Sequence, residues 1–157
     1  MCGGVGYQLK NIPKKELQKY FDNEMIGRLE KKGRIESFFW YKDPILPIDS
    51  KKGIQLKIWG NKDKDLKLPK TGWARIESLK QGRWDWLKPD TVDVPIDKGY
   101  EKKVWFNMPE GTKGVVVKDK KGDNERVYMI TEQANESYEK ETKHDRQPVG
   151  KKKFYNK

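Results

Sequence analysis

Three short apolar runs in the second half of the chain, 104–108, 114–118 and 126–130, are separated by Pro-Glu-Gly-Thr and by Lys-Lys-Gly-Asp-Asn. Both separators carry turn chemistry, because Gly supplies positive φ and Pro, Asp and Asn favour tight reversals. Runs of this length between such turns predict an antiparallel meander. Earlier in the chain, Ile54, Leu56 and Ile58 alternate with polar residues, as in a half-buried strand, up to Trp59-Gly60. Residues 34–41 also read as a strand, bounded by Pro44 and Pro47.

Helical signals are fewer. Pro13 suits a first helical turn, and Leu17, Phe21, Met25 and Leu29 follow at i,i+4 spacing, with Gly33 as terminator. A second short helix is predicted over 131–141, with Thr131 as its cap. Residues 1–9 hold three glycines in six positions and read as extended or sharply turned. Between 61 and 91 no period is sustained, which predicts a long loop region or short strands. The resulting fold class is α+β, a mainly antiparallel β structure with two or three helices. A single domain is expected over 1–149, followed by a basic tail over 150–157.

Charge narrows the partner. The chain of 157 residues carries 35 Lys+Arg against 24 Asp+Glu, a net +11, while six Trp, seven Tyr and five Phe supply a core despite 38% charged residues. An excess of that size attracts polyanions, nucleic acid first and an anionic membrane second. A Lys-rich surface that serves only solubility gives the same composition. No apolar stretch approaches the ~20 residues of a membrane span, and no signal-peptide layout opens the chain. A cytoplasmic, monomeric protein is therefore expected. With one Cys and one His, no multi-cysteine metal site can form, and neither a structural zinc site nor a cofactor is expected.

Cys2 is the residue with the most chemical capacity. Once the initiator methionine is removed, the chain starts with an α-amine and a thiol on one residue. The α-amine has a pKa of about 7.7–8.0 against about 10.4 for lysine, so a far larger share is nucleophilic at neutral pH. A 1,2-aminothiol forms a Schiff base with an aldehyde and then closes to a thiazolidine, an intramolecular second step. A cysteine at position 2 is also commonly incidental.

Several fragments then occur in an order that resembles the SOS response-associated peptidase (SRAP) family. They are the opening Met-Cys-Gly, Tyr41-Lys42-Asp43-Pro44 before a strand, Trp59-Gly60, and Trp73-Ala74-Arg75-Ile76-Glu77-Ser78. Asp97-Lys98-Gly99-Tyr100-Glu101-Lys102 follows, then Thr131, Ala134-Asn135 and His144-Asp145-Arg146-Gln147-Pro148. The match covers roughly residues 2–149, as in a compact member that a phage or plasmid encodes. The resemblance implies a β-rich pseudo-barrel with a basic DNA channel, self-removal of Met1, and covalent capture of abasic sites in single-stranded DNA through Cys2. It also implies Glu101 as general acid/base near the amine and His144 as the proton carrier at the sugar. Arg75 is implied as a phosphate contact, Glu77 as its orienting partner, and Arg146 as a second phosphate contact or a partner of Asp145. Trp73 stands where the family has asparagine, and an indole there offers a base a stacking surface.

The stretch Arg83-Trp84-Asp85-Trp86-Leu87-Lys88 interleaves basic and aromatic residues, which fits either a single-strand binding surface or core tryptophans at i,i+2 on a strand. Three functions remain open on the sequence. One is an abasic-site cross-linker. Another is a single-stranded DNA-binding protein of the same fold without that chemistry. The third is a basic accessory protein for RNA or another protein, with Cys2 incidental.

Overall fold

A computed structural model of the chain describes residues 3–149. Cys2 and the basic tail lie outside the described residues. In chain order the strands are β1 (Gly4–Gln8), β2 (Arg34–Phe38), β3 (Ile45–Ser50), β4 (Gly53–Trp59), β5 (Trp73–Arg75), β6 (Asp90–Val94), β7 (Lys98–Glu101), β8 (Val104–Asn107), β9 (Thr112–Lys118), β10 (Glu125–Gln133) and β11 (Arg146–Pro148). The helices are α1 (Lys14–Leu17), α2 (Asn23–Lys32), α3 (Ile76–Lys80) and α4 (Glu136–Thr142). The class is α+β with mostly antiparallel sheets, and the helices among the described residues number four rather than two or three.

Two sheets share the main core. Strands β2-β1-β7-β8 form an antiparallel sheet, while β10-β4-β3-β6-β9 close into a five-stranded barrel because β9 also pairs with β10. One edge of β10 takes β9 and then β11 antiparallel; the other takes β4 and then β5 in parallel. Both faces of β9 and β10 are covered, which explains their unbroken apolar runs. Val116, Val127 and Met129 join the main core. Val115, Val117, Tyr128 and Ile130 join a second cluster with Leu68, Ala74, Trp84 and Leu87. The aperiodic stretch 61–91 therefore does structural work as the cover of the barrel wall, through β5, α3 and short turns.

Several sequence expectations need correction. The predicted meander is split, because Val104–Asn107 pairs with β7 in the smaller sheet, and of its three strands only β9 and β10 pair with each other. The single helix after Pro13 breaks in two at Asp22, whose carboxylate accepts from the Met25 amide at 2.8 Å and caps α2. That restart turns Ile26 into the core and leaves Met25 exposed. Gly33 ends α2 as expected, in the left-handed conformation at φ 70°. Thr131 is buried in β10 and does not cap the last helix; Asn135 does, accepting from Tyr138 at 2.8 Å. Pro47 does not bound a strand but lies within β3, which meets β6 only at Asp49↔Asp93 and so resembles an edge there.

Polar bonds tie the sheets together. The buried Tyr7 hydroxyl donates to the Ile45 carbonyl at 3.1 Å, and the Ile45 amide donates to Ser37 Oγ at 3.2 Å. Arg34 and Asp97 form a two-pronged pair, Nη1–Oδ2 at 2.9 Å and Nη2–Oδ1 at 2.5 Å, locking β2 to the chain entering β7. Tyr7→Phe leaves the Ile45 carbonyl without this donor and is expected to lower stability by about 1 kcal/mol. Urea unfolding of the two proteins checks it; equal midpoints and slopes would refute the linking role of Tyr7.

Candidate functional site

Glu101 is the last residue of β7. Strand alternation turns Gly99 and Glu101 inward and Lys98 and Tyr100 outward, so the Glu101 carboxylate is buried, with 8% of its side chain exposed. His144 follows α4, whose end is set by Lys143 in the left-handed conformation at φ 61°. The Thr142 hydroxyl accepts from the His144 amide at 3.3 Å, and His144 Nδ1 accepts from the Arg146 amide at 3.1 Å. With Nδ1 as acceptor, the neutral ring carries its proton on Nε2, assigned from this hydrogen-bond pattern. Nε2 lies 3.5 Å from Glu101 Oε1, so the carboxylate and the imidazole face one another across 43 residues of chain. Burial lowers the His144 pKa, and the Glu101 and Asp145 carboxylates only partly offset it.

The start of the described chain runs into this pair. The Gly3 amide donates to Tyr100 O at 2.8 Å, and its carbonyl accepts from Phe39 N at 3.0 Å. A Cβ placed on Gly3 would lie 4.0 Å from Glu101 Oε2. Lys102, next to Glu101, folds back and donates to the Lys143 carbonyl at 2.7 Å, a cation at the C-terminal end of α4. Residues from the segment before β1, from β7 and from the α4–β11 connection thus meet at one place.

Arg146 is placed differently from expectation. Its guanidinium is buried and grips Glu77 through Nη1–Oε1 at 3.1 Å and Nη2–Oε2 at 2.9 Å, and it also donates to Thr131 O at 2.9 Å. Glu77 therefore holds Arg146, not Arg75, and Asp145 is not its bidentate partner. Arg75 is exposed at the end of β5, where it registers with Thr131. Trp73 is half-buried, its ring 4.8 Å from Phe39 and 5.9 Å from Trp59 between centroids. Phe39 in turn bonds Gly3, so Trp73 sits one aromatic ring away from Gly3.

Trp84 is a correction. It is buried in the second core against Tyr128 at 5.0 Å, so it offers no face to a base, and the segment is a 3-10 turn rather than a strand. Arg83 and Trp86 are exposed beside it. Among the described residues no cluster of three His, Cys, Asp or Glu is placed to hold a metal ion, and no helix is long and apolar enough to cross a membrane.

Sequence reasoning missed a group of rings on the outward face of the smaller sheet: Phe38, Trp40, Tyr41, Tyr100 and Trp105. The signal was present in β1, where glycines alternate with Val5 and Tyr7 and leave one face bare. No family model matches the chain, and no curated protein or solved structure matches it.

The Arg146 contact holds the Glu77 carboxyl below its usual range. A depressed carboxyl contributes stability above its unfolded pKa of about 4.3, and that contribution is lost as pH falls through the folded value. Glu77→Ala is expected to cost about 1–2 kcal/mol near neutral pH, limited by the partial exposure of Glu77. It should also flatten the acid limb of stability below about pH 4.3. Thermal unfolding across pH 3–7, taken as a rough span around that value, reads both effects; a parallel loss for wild type and variant would exclude the coupling.

Proposed function

We propose that the chain captures abasic sites in single-stranded DNA through Cys2, with Glu101 and His144 as the proton-transfer pair, on a SRAP-like pseudo-barrel. The observation that carries this reading is the 3.5 Å approach of His144 Nε2 to Glu101 Oε1 directly beside Gly3, the residue that follows Cys2 in the chain. A buried carboxylate and a partly desolvated imidazole at one end of a polypeptide suit acid–base work on a substrate brought to that end.

The reaction has a defined order. Hydrolysis of the Met1–Cys2 bond releases methionine and frees the α-amine. The amine adds to the C1′ aldehyde of the opened sugar, and the carbinolamine loses water to give an imine. The Cys2 sulfur then bonds to the imine carbon while the thiol proton passes to nitrogen, closing a thiazolidine. Glu101 carries protons to and from the amine and the departing water. His144 assists ring opening at the sugar hydroxyl. Arg75 reaches a flanking phosphate from its exposed position. The positive charge of the chain favours the same partner.

Intact mass spectrometry tests this with a single-stranded oligonucleotide that holds one abasic site. A denaturation-stable adduct is expected with the wild type, and none with Cys2→Ser. Glu101→Gln and His144→Gln are each expected to slow adduct formation by on the order of a hundredfold. Salt-sensitive DNA binding with no adduct would replace this reading with that of a non-covalent binder of the same fold.

The pH profile adds a second check. Because burial depresses the His144 pKa, the neutral imidazole persists below the ordinary value of about 6.5. The His144-dependent loss of rate is therefore expected below about pH 6.5, separate from the α-amine limb near 8, and absent in His144→Gln. A wild-type profile identical in shape to that of His144→Gln would remove His144 from the mechanism.

A further inference from the structure

We propose that the outward face of the four-stranded sheet is a stacking platform for the bases of single-stranded nucleic acid, leading to the Glu101–His144 pair. The proposal rests on the reading of that pair as a DNA site only for what lies at the end of the track. The affinity of the platform does not depend on covalent chemistry.

The face is built by register. Phe38 on β2, Gly4 on β1, Tyr100 on β7 and Trp105 on β8 form one row across the sheet. Gly4 serves as its floor, since any Cβ there would collide with the Phe38 ring and lie 3.2 Å from Tyr100 Cβ. The rings form one connected group around Phe38, with centroids at 4.6 Å to Trp40, 5.4 Å to Tyr41, 5.3 Å to Tyr100 and 5.8 Å to Trp105. Most of this is open to solvent: Trp40 is 63% exposed, Tyr41 49% and Trp105 38%. A contiguous exposed aromatic patch marks a binding surface rather than ordinary scatter.

Cations border the rings. Lys98 and Gly6 form the neighbouring row, on the same face. The β7–β8 hairpin has Lys102 and Lys103 at its tip with φ 45° and 70°, left-handed positions where Asn and Gly are preferred. Lys103 is exposed there, while the Lys102 ammonium donates to the Lys143 carbonyl at 2.7 Å, on the Glu101–His144 side. Lys62 donates to the Phe39 and Tyr41 carbonyls and braces the turn that presents Trp40 and Tyr41. At the inner edge, Trp40 lies 3.7 Å from a Cβ placed on Gly3, and Glu101 lies 4.0 Å from it.

Flat apolar rings bordered by lysines match the two parts of a single strand, bases for stacking and phosphates for the cations. A second copy of this chain fits less well, because each copy brings a net charge of +11.

The test uses the full chain with Cys2→Ser, a fluorescein-labelled oligothymidylate without an abasic site, and anisotropy. Trp40→Leu and Trp105→Leu are each expected to weaken binding roughly 5- to 150-fold, with unfolding transitions close to the parent. In the parent, the oligonucleotide should also shield exposed indoles from acrylamide quenching. Unchanged affinity in both folded variants, or no shielding in the parent, overturns the platform. It is equally overturned if sedimentation shows a dimeric parent that the variants make monomeric. Adducts on abasic DNA are read separately on the chain with Cys2 intact. Adducts without any effect of the two variants on binding sink the platform alone, and variant-sensitive binding without adducts sinks the capture reaction alone.

Discussion

Strand β1 faces two ways, and the rest of the molecule is arranged around that fact. Inward, Val5 and Tyr7 are fully buried, and the Tyr7 hydroxyl reaches across to the barrel at Ile45. Outward, Gly4 and Gly6 present no side chain, so rings from β2 and β7 close over the strand. A larger residue at position 4 would lift those rings; a smaller one at 7 would loosen the joint between the sheets. As the central member of its sheet, β1 also fixes the distance between β2 and β7, and with it the place where Gly3 meets Glu101.

The candidate site is a junction of separate elements rather than a pocket within one. Glu101 comes from a strand end, His144 from the exit of a helix, and Gly3 from the segment before β1. Junctions of this kind hold polar groups in partial burial. Glu101 and His144 face one another at 3.5 Å, largely shielded from bulk water, and Lys102 and Asp145 keep them within a charged setting.

Arg146 shows how a charge suited to phosphate is taken up by the scaffold. Held by Glu77 and Thr131, it joins α3, β10 and β11, and its backbone amide orients His144. Its contribution to the site is therefore positional. The opposite edge of β10 leaves Arg75 exposed, so two arginines close to Thr131 have different surroundings. Burial separates them: a guanidinium taken from water needs a fixed carboxylate, and Glu77 supplies only one.

Period and turn chemistry determined much of the architecture directly. The alternation at Ile54–Ile58, the apolar runs of β9 and β10, the turn at 120–124 and the Gly33 terminus all follow from local geometry. Charge was equally legible, because it requires no knowledge of neighbours, whereas Glu101 and His144 stood out only through the family resemblance. Tertiary structure alone decided that Val104–Asn107 leaves the meander, that Trp84 turns inward while Trp86 does not, and that Arg146 takes Glu77 rather than Asp145. It also decided the meeting of Glu101 with His144. The reason is physical. Local propensities act over a few residues, whereas the partner of a buried ring or charge is set by which distant segments compete for the same space.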